Sequence, residues 1–460
     1  MYASGIPVGM VVDNKGPRPG VFVGSILLGV GYFFQYRAFV AGPGSLGMPL
    51  LCIFSLLTGV GGCSAFLGAV KTAALNWPNH RGTATAFPLA AFGLSAFFFS
   101  LLSSLAFPDD TSELLLLLSI LTFAMPVGGG IFLQVVPQTY GYRPVPESGM
   151  RADSDTSTTL KHFKSNESNQ EAGTQADNLK DNSSEHSSLL SKSSTGSGPG
   201  DHPSHQGEED RRRAEDEGSH RTDVRGLAML KHARFYVLWS ILGLLTGIGL
   251  MTINNIGNDV RAIWHHYDDS TTPKLIQERQ LMHVEILSIM SFVGRLASGV
   301  GSDLIVHCFA LSRYWVIVLS SFIFLLAQVC GATIENPHAL GLVSGLTGLA
   351  YGFLFGSYPA LVAESFGVHG MSQNWGFMTL APVVAGNIFN LLYGQIYDRH
   401  SFKTENGEMD CKEGLQCYQA AYYVTLAAAV VGLVLSLGGV RWDWVSRRAR
   451  GREKAVGTEA

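Results

Sequence analysis

The sequence predicts an all-α membrane protein built from two bundles of helices that are joined by a charged linker. Hydrophobic residues make up 47% of the 460 positions and charged residues only 15%, against about 25% in soluble domains. Residues 143–225 hold 27 of the 68 charged residues, so the other 377 positions carry about one charge in nine. A soluble globule needs a charged surface that these positions lack, so they must face lipid.

Ten runs with few or no charged residues are long enough to cross a bilayer, which takes about 20 mainly apolar residues. The runs are apolar all round and rich in glycine, which is typical of helices packed in lipid, and they lack the alternation of β-barrel strands. They lie near 21–40, 47–70, 84–106, 114–136, 235–256, 284–305, 314–333, 339–363, 375–397 and 419–440. Residues 1–13 are apolar but too short to cross. We therefore expect the first helix and part of the second to lie outside this chain.

Residues 143–225 divide the spans into two groups. Their high content of Ser, Asn, Asp, Glu and Gly, with few aromatic residues, predicts a disordered linker. The N-terminal bundle is then 1–142, incomplete at its start, and the C-terminal bundle of six helices is 226–445, followed by a tail at 446–460. Basic residues beside the spans number eleven on the side of the linker and seven on the other. This excess predicts that the linker and the tail are cytoplasmic.

Two loops on the predicted cytoplasmic side repeat one pattern. In GMVVDNKGPRPG a glycine stands four residues before an aspartate, and GRLASGVGSD has the same spacing in the second group of spans. The residues of the pattern are Gly9, Asp13, Gly16 and Arg18 in the first loop and Gly299 and Asp303 in the second. The glycines allow close helix approach and a tight turn. The carboxylate of Asp13 can lie at a helix N-terminus or pair with Arg18.

This pattern resembles the GxxxD(R/K)xGxR signature of the major facilitator superfamily, with Asn14 in the slot that usually holds a basic residue. The stretch LNWPNHRGTATAFPLAAFGLSAFFFS resembles the nodulin-like and fungal monocarboxylate-transporter-like members, including a vacuolar one. Its matching residues are Asn76, Pro78, Arg81, Gly82, Gly93, Leu94 and Ser95. The resemblance implies two six-helix bundles, transport by alternating access, and a loop motif that locks the outward-facing state.

Polar side chains deep within apolar spans are the candidate substrate contacts, because their burial is costly. Arg295 lies about eleven residues from either end of its predicted span, and a cation there suits an anion such as a carboxylate. Alternatively, Arg295 binds helix-end carbonyls as part of a gate. The weaker candidates, which together predict a polar cavity between the bundles, are Asn254, Asn255, Asn387, Asn390, Tyr351 and Tyr358.

The resemblance to monocarboxylate transporters also predicts an aspartate one turn before the arginine, which takes part in proton and anion binding. This chain has Ser291 at that position, and Glu285 lies at a different depth. Proton coupling is therefore a hypothesis without its usual acid. We expect a small-molecule substrate, first a monocarboxylate or similar organic anion, and alternatively an amino acid or another neutral solute. A non-transporting sensor or receptor on the same fold is the alternative function.

Other classes of function find no support in the sequence. The spans lack facing catalytic residues and clustered His and acidic ligands, so we expect no enzyme, no metal and no cofactor. No GxxxxGK(S/T) loop is present, so ATP does not drive transport directly. A net charge of −4 offers no basic surface for nucleic acid.

Two short patterns lie outside the spans. Cys411 and Cys417 stand in the charged loop MDCKEGLQCYQ on the predicted non-cytoplasmic side, where a local disulfide is expected. In the linker, EHSSLL matches the (D/E)xxxL(L/I) signal that sorting adaptors bind, through Glu185, Leu189 and Leu190. It predicts a vacuolar or lysosome-like membrane, with the plasma membrane as the alternative.

Overall fold

The protein is a multi-pass membrane protein made almost entirely of helices. The computed structural model describes residues 2–42, 44–107, 111–136, 224–268, 270–403 and 409–459. Ten helical stretches in these ranges are long and apolar enough to cross a membrane, so the prediction of ten spans is confirmed. Helices suit lipid because they pair their own backbone N–H and C=O groups. The sorting residues Glu185, Leu189 and Leu190 lie outside the described residues.

Among the described residues, five α-helices precede the linker: α1 Gly5–Lys15, α2 Pro17–Ala41, α3 Met48–Asn76, α4 Arg81–Ala106 and α5 Thr111–Phe132. Gly16 separates α1 from α2 with a φ of 88°, a conformation that favours glycine. The second helix packs against α3 and α5. Small residues set this packing, since a Cβ on Gly24 would lie 2.7 Å from the Gly61 carbonyl oxygen.

Seven helices follow the linker: α6 Ala233–Tyr267, α7 Pro273–Phe309, α8 Tyr314–Thr333, α9 Gly341–Phe366, α10 Met371–Met378, α11 Leu380–His400 and α12 Gln419–Glu459. Helices α10 and α11 together make one span, so this bundle has six. The most extensive helix–helix contact is between α7 and α9, where a Cβ on Gly352 would lie 2.5 Å from the Ser291 carbonyl oxygen. The backbone of α12 remains helical through the predicted tail as far as Glu459.

A short hairpin joins α11 to α12. Strand β1 (Phe402–Lys403) pairs antiparallel with β2 (Met409–Asp410). A disulfide joins Cys411 to Cys417 directly after β2, as the loop sequence predicts. The hairpin contacts the end of α6, because His265 Nδ1 lies 3.1 Å from a carboxylate oxygen of Asp410.

The last two residues of the predicted linker, 224 and 225, are ordered against the C-terminal bundle. The Val224 N–H donates to the Phe366 carbonyl oxygen at 2.9 Å, and Asn374 Nδ2 donates to the Val224 carbonyl oxygen at 2.8 Å. These bonds fix the chain just before α6, where it enters the C-terminal bundle.

Candidate functional site

The two bundles contact each other mainly through α1 against α10 and α4 against α7. Glycine makes both contacts close. A Cβ on Gly9 would collide with the backbone of Ser372, and a Cβ on Gly299 would collide with Ala86. The glycine of each loop pattern therefore lies at a contact between the bundles, which explains why each stands one helical turn before an aspartate.

The carboxylate of Asp13 crosses to the other bundle and lies at the N-terminus of α10. It accepts hydrogen bonds from the backbone N–H of Ser372 at 3.3 Å and of Gln373 at 2.8 Å. Lys71 Nζ, from α3, lies 2.6 Å from the same carboxylate. A helix N-terminus favours an anion, and both side chains of the ion pair are 7% exposed. We call these four residues the Asp13 clamp.

The carboxylate of Asp303 makes the reciprocal contact at the N-terminus of α4. It accepts from the backbone N–H of Gly82 at 3.1 Å and of Thr83 at 2.6 Å, and from the Thr83 hydroxyl at 2.7 Å. Arg313 Nη1 lies 2.7 Å from the carboxylate, and Arg313 Nε lies 2.5 Å from Glu364. Burial alone would lower the pKa of the Arg313 guanidinium, but the attraction of Glu364 and Asp303 raises it above its ordinary value. We call Asp303, Gly82, Thr83 and Arg313 the Asp303 clamp.

The two clamps have the same chemistry in opposite directions. Each bundle contributes one carboxylate with a buried cation of its own and presents one helix N-terminus to the other bundle. The sequence offered two partners for Asp13, a helix N-terminus or Arg18, and in the structure Asp13 binds the N-terminus of α10. Arg18 does not pair with it; Arg18 Nη2 instead donates to the Ile131 carbonyl oxygen at 2.9 Å. Lys71 and Arg313 are two of the eleven basic residues beside the spans on the side of the linker. Their sequence positions did not indicate that they pair with Asp13 and Asp303.

Arg295 lies on α7, eight residues before Asp303, where α7 contacts α4. Its side chain is buried, and Nη1 donates to the Leu89 carbonyl oxygen of the other bundle at 2.5 Å. The guanidinium carbon lies 5.6 Å from the ring centre of Phe92 and 5.8 Å from that of Phe355. Nε is buried and has no hydrogen-bond partner among the described residues. The Leu89 carbonyl lies inside α4 and not at its end. The structure therefore does not show the helix-end carbonyl contact that the gate alternative expects for Arg295.

The guanidinium faces a small cavity between the bundles. The cavity volume is about 10 Å³, which is about the space of one water molecule. The lining residues are Tyr2, Phe66, Leu89, Phe92, Arg295, Phe355 and Trp375. Five of the seven are aromatic, so a cation lies in an otherwise apolar enclosure. In this conformation the bundles close tightly around Arg295.

The two glycines of the subfamily motif lie next to functional side chains of the other bundle: Gly82 next to Asp303, and Gly93 next to Arg295. A Cβ on Gly82 would lie 2.7 Å from Asp303 Oδ1, and a Cβ on Gly93 would lie 2.6 Å from Arg295 Nη1. Asn76 has another role, because its side chain donates to the Gln134 carbonyl oxygen at 2.9 Å. Of the remaining motif residues, Pro78 precedes α4, Arg81 begins it, and Leu94 and Ser95 lie in its middle.

The polar candidates other than Arg295 do not line one cavity with it. Asn255 Nδ2 donates to Asn390 Oδ1 at 2.8 Å and Asn254 does so at 3.4 Å, which joins α6 to α11 within the C-terminal bundle. Asn387 bonds to its own helix through the Val383 carbonyl oxygen.

The two tyrosine candidates have different positions. The hydroxyl of Tyr358 donates to the Leu238 carbonyl oxygen at 2.5 Å and fixes α9 to α6. The hydroxyl of Tyr351 lies 3.4 Å from that of Tyr2, which lines the Arg295 cavity. The ring centre of Tyr351 lies 4.7 Å from that of Phe355, which also lines this cavity. Tyr351 is therefore the weaker candidate that the structure brings next to Arg295.

The sequence prediction missed a buried carboxylate on α6. Asp259 is fully buried and accepts hydrogen bonds from Tyr393 at 2.5 Å and Tyr422 at 2.7 Å. The predicted span ended at residue 256, which placed this aspartate in a loop, whereas α6 continues to Tyr267. The signal that could have found it is the apolar sequence AIW that resumes beyond the aspartate. Within the described parts of the chain, no three His, Cys, Asp or Glu side chains are placed to hold a metal ion.

Two helical bundles that span the membrane, meet through reciprocal clamps and enclose a buried cation define the class as a two-bundle membrane transporter. The chain belongs to the Major Facilitator Superfamily, whose family model matches residues 1–390.

Curated relatives extend over most of the chain. It is 29% identical to an uncharacterized membrane protein of Saccharomyces cerevisiae, over 97% of this chain and 86% of that protein. It is 25% identical to a protein of Neurospora crassa named probable transporter mch1, over 96% of this chain and 81% of that protein. Among solved structures, the E. coli fucose:proton symporter FucP matches with a TM-score of 0.49 and 10% identity, over 94% of this chain and 88% of that one.

Proposed function

We propose that the protein is a secondary active transporter of a small organic anion, in the first place a monocarboxylate, and that Arg295 binds its carboxylate. The observation that carries this proposal is the state of the Arg295 guanidinium. It is buried between the bundles, its Nη1 donates to the Leu89 carbonyl oxygen, and its Nε has no partner in the part of the chain that the structure describes. A buried, unsatisfied donor on a cation is costly unless an anion takes it up.

The surroundings of Arg295 favour a singly charged substrate with an apolar body. One cation lines the cavity, so a second carboxylate would be buried without a counter-charge. Aromatic rings such as Phe92 and Phe355 give an organic group apolar contact and exclude water, which strengthens the ionic contact. Planar recognition of a carboxylate by a guanidinium adds direction to the attraction.

Substrate binding and movement of the bundles are linked through α4 and α7. Arg295 donates to Leu89 about two helical turns from the Asp303 clamp, and both contacts join the same two helices. An anion that draws the guanidinium from Leu89 removes one contact between the bundles and weakens the α4–α7 interface. Because a cavity of about 10 Å³ has no room for an organic solute, binding requires the bundles to separate. Alternating access follows if the clamps open at one end while the other end closes.

The membrane in which the protein works is part of the proposal. We assign it to a vacuolar or lysosome-like membrane, with sorting by an adaptor that binds Glu185, Leu189 and Leu190; the EHSSLL pattern supports this assignment. Replacing both leucines by alanine in a fluorescently tagged protein should move the signal to the plasma membrane. An unchanged location would remove the sorting assignment and leave the transport proposal as it stands.

Uptake into reconstituted vesicles tests the transport proposal. The full chain is inserted in liposomes and given radiolabelled monocarboxylates, dicarboxylates, amino acids and sugars, with and without a pH gradient. We expect saturable uptake of monocarboxylates that exceeds uptake of the other classes. Uptake of neutral solutes alone would favour the alternative substrate class. Absence of any uptake or exchange, with a folded protein that still binds a carboxylate, would favour the sensor on the same fold.

A further inference from the structure

The C-terminal bundle contains a buried acid that neither the clamps nor the Arg295 cavity uses. Asp259 is fully buried on α6, and its two carboxylate oxygens accept from two tyrosines on two other helices, Tyr393 of α11 and Tyr422 of α12. Both partners are neutral. A buried acid in a membrane span marks a functional site more often than a structural one, because an unpaired charge there is expensive.

Two more tyrosines extend the cluster toward the hairpin. The Tyr397 ring stacks on Tyr393 with centres 5.8 Å apart, and the Tyr418 ring lies 5.5 Å from that of Tyr422. Within the described parts of the chain, the buried hydroxyls of Tyr397 and Tyr418 donate no hydrogen bond. Four phenol groups therefore lead from Asp259 toward the disulfide-bonded segment, and the outer two have unused hydrogen-bonding capacity.

Few charged groups face this cluster. From α6 itself, Arg261 lies two residues beyond Asp259 and His265 lies between one and two turns beyond it. Asp410 of the hairpin pairs with His265.

Among the described residues, the contacts from α7 and α8 to this part of the bundle are made by uncharged residues. From α7, Gln280 donates to the Gly257 carbonyl oxygen at 2.8 Å. From α8, Gly331 lies against the Tyr422 ring, because a Cβ there would collide with it. The charged groups that face the cluster thus lie at the hairpin end of α6, where the cluster approaches the predicted non-cytoplasmic surface.

We propose that Asp259, with Tyr393 and Tyr422, is a proton-binding site of the C-terminal bundle that exchanges its proton with the non-cytoplasmic compartment. A phenol can donate or accept, and a carboxyl group accepts when ionised and donates when protonated. Uptake of one proton by the carboxylate gives a neutral acid that donates to one phenol oxygen, while the other phenol continues to donate. The proton comes from a hydronium ion of the non-cytoplasmic compartment; one of its O–H bonds breaks, the O–H bond of the carboxyl group forms, and water is left.

This site supplies the acid that the sequence lacks near Arg295, where Ser291 replaces the expected aspartate. As a coupling site it rests on the proposed transport function. As a proton site it does not, because proton uptake by a carboxyl group can be measured without any substrate. Helix α6 also carries the contacts to α11 and α12, so a change of charge on Asp259 acts on the packing of all three helices.

Infrared difference spectroscopy of the purified full chain tests the proton site. Spectra at acidic minus neutral pH should show the C=O band of a protonated carboxyl group, shifted in heavy water, that disappears in Asp259→Asn. Asparagine keeps a donor and an acceptor between the two tyrosines, so this variant should fold, and thermal unfolding checks that it does. Tyr422→Phe should move the band, because the carboxyl group loses one partner. The proposal would be overturned if the band persists in Asp259→Asn, or if the wild type shows no titrating carboxyl band.

Transport in vesicles separates coupling from binding. With a monocarboxylate that the wild type takes up, Asp259→Asn should lose the stimulation of uptake by a pH gradient but keep exchange of substrate across the membrane. The matched control is Asp398→Asn, an exposed acid of α11, which should keep both. Full stimulation in Asp259→Asn would remove the coupling role. If the wild type takes up no carboxylate at all, the proposed substrate fails while the infrared result still decides the proton site.

Discussion

Gly93 and Arg295 approach each other across the interface of the two bundles so closely that a Cβ on the glycine would lie 2.6 Å from Nη1 of the arginine. The glycine belongs to the GLS part of the subfamily motif, and the arginine is the buried cation of the cavity. The motif thus provides the space in which the guanidinium reaches Leu89.

Gly93→Ala should displace the guanidinium and weaken substrate binding. The Arg295 side chain can move, so the loss of stability should be small, whereas KM for carboxylate uptake should rise several-fold with a smaller change in maximal rate. Gly128→Ala in α5 is the matched control, because a Cβ there meets no atom within 4 Å. Equal KM values for the two variants would show that Gly93 does not position Arg295.

The two clamps should protect the backbone amides that they bind. Asp303→Asn removes the charge that Gly82 and Thr83 donate to, and breaking a buried ion pair costs about 3 kcal/mol, or ~100-fold in an opening equilibrium. Hydrogen exchange measured by mass spectrometry should accelerate in the peptide that contains these amides. Asp13→Asn should do the same at Ser372 and Gln373. Unchanged exchange in both variants would mean that the carboxylates do not hold the bundles together.

The effect of replacing a glycine of α7 by alanine on stability should depend on whether that glycine lies in the contact with α4. A Cβ on Gly299 would collide with Ala86, whereas a Cβ on Gly301, two residues along the same helix, meets nothing within 4 Å. Gly299→Ala should lower stability by about 1–3 kcal/mol through overpacking, and Gly301→Ala should leave it equal or raise it. Unfolding in detergent measures both variants, and equal losses would contradict the close approach of the helices.

The disulfide should stabilise the hairpin end of the C-terminal bundle. Closing the short loop between Cys411 and Cys417 is worth about 2 kcal/mol in chain entropy. Cys411→Ser and Cys417→Ser should each lower the free energy of unfolding by this amount, and a reductant should do the same to the wild type only. Cys52→Ser, at an exposed free cysteine, is the control. A wild type that is indifferent to reductant would contradict this role.

The sequence predicted the features that depend on local pattern. The ten spans followed from apolar length, the carboxylates Asp13 and Asp303 from a repeated loop, and Arg295 from its depth within a span. The pairing partners were not predictable in this way. Lys71 lies 58 residues from Asp13, and nothing in the sequence near either residue selects the other.

The other gap has a different physical cause. The predicted span ends at residue 256, beside the polar residues Asn254 and Asn255, but in the structure Asn255 bonds to Asn390 and α6 continues through Asp259. A helix that pairs its polar groups with a neighbouring helix can keep them within the membrane. Such pairing is set by tertiary packing, which local composition does not encode.

Carboxylate uptake by an Arg295 variant tests the central claim most directly. Arg295→Gln keeps a polar side chain of similar reach but removes the charge, and Arg279→Gln is the matched control on the same helix, where the guanidinium lies over Trp264. Loss of a charge-assisted hydrogen bond worth about 1.5–3 kcal/mol should lower kcat/KM for a monocarboxylate ~10-fold or more in the first variant and leave it unchanged in the second. Uptake at the wild-type level by a folded Arg295→Gln protein would show that the anion binds elsewhere.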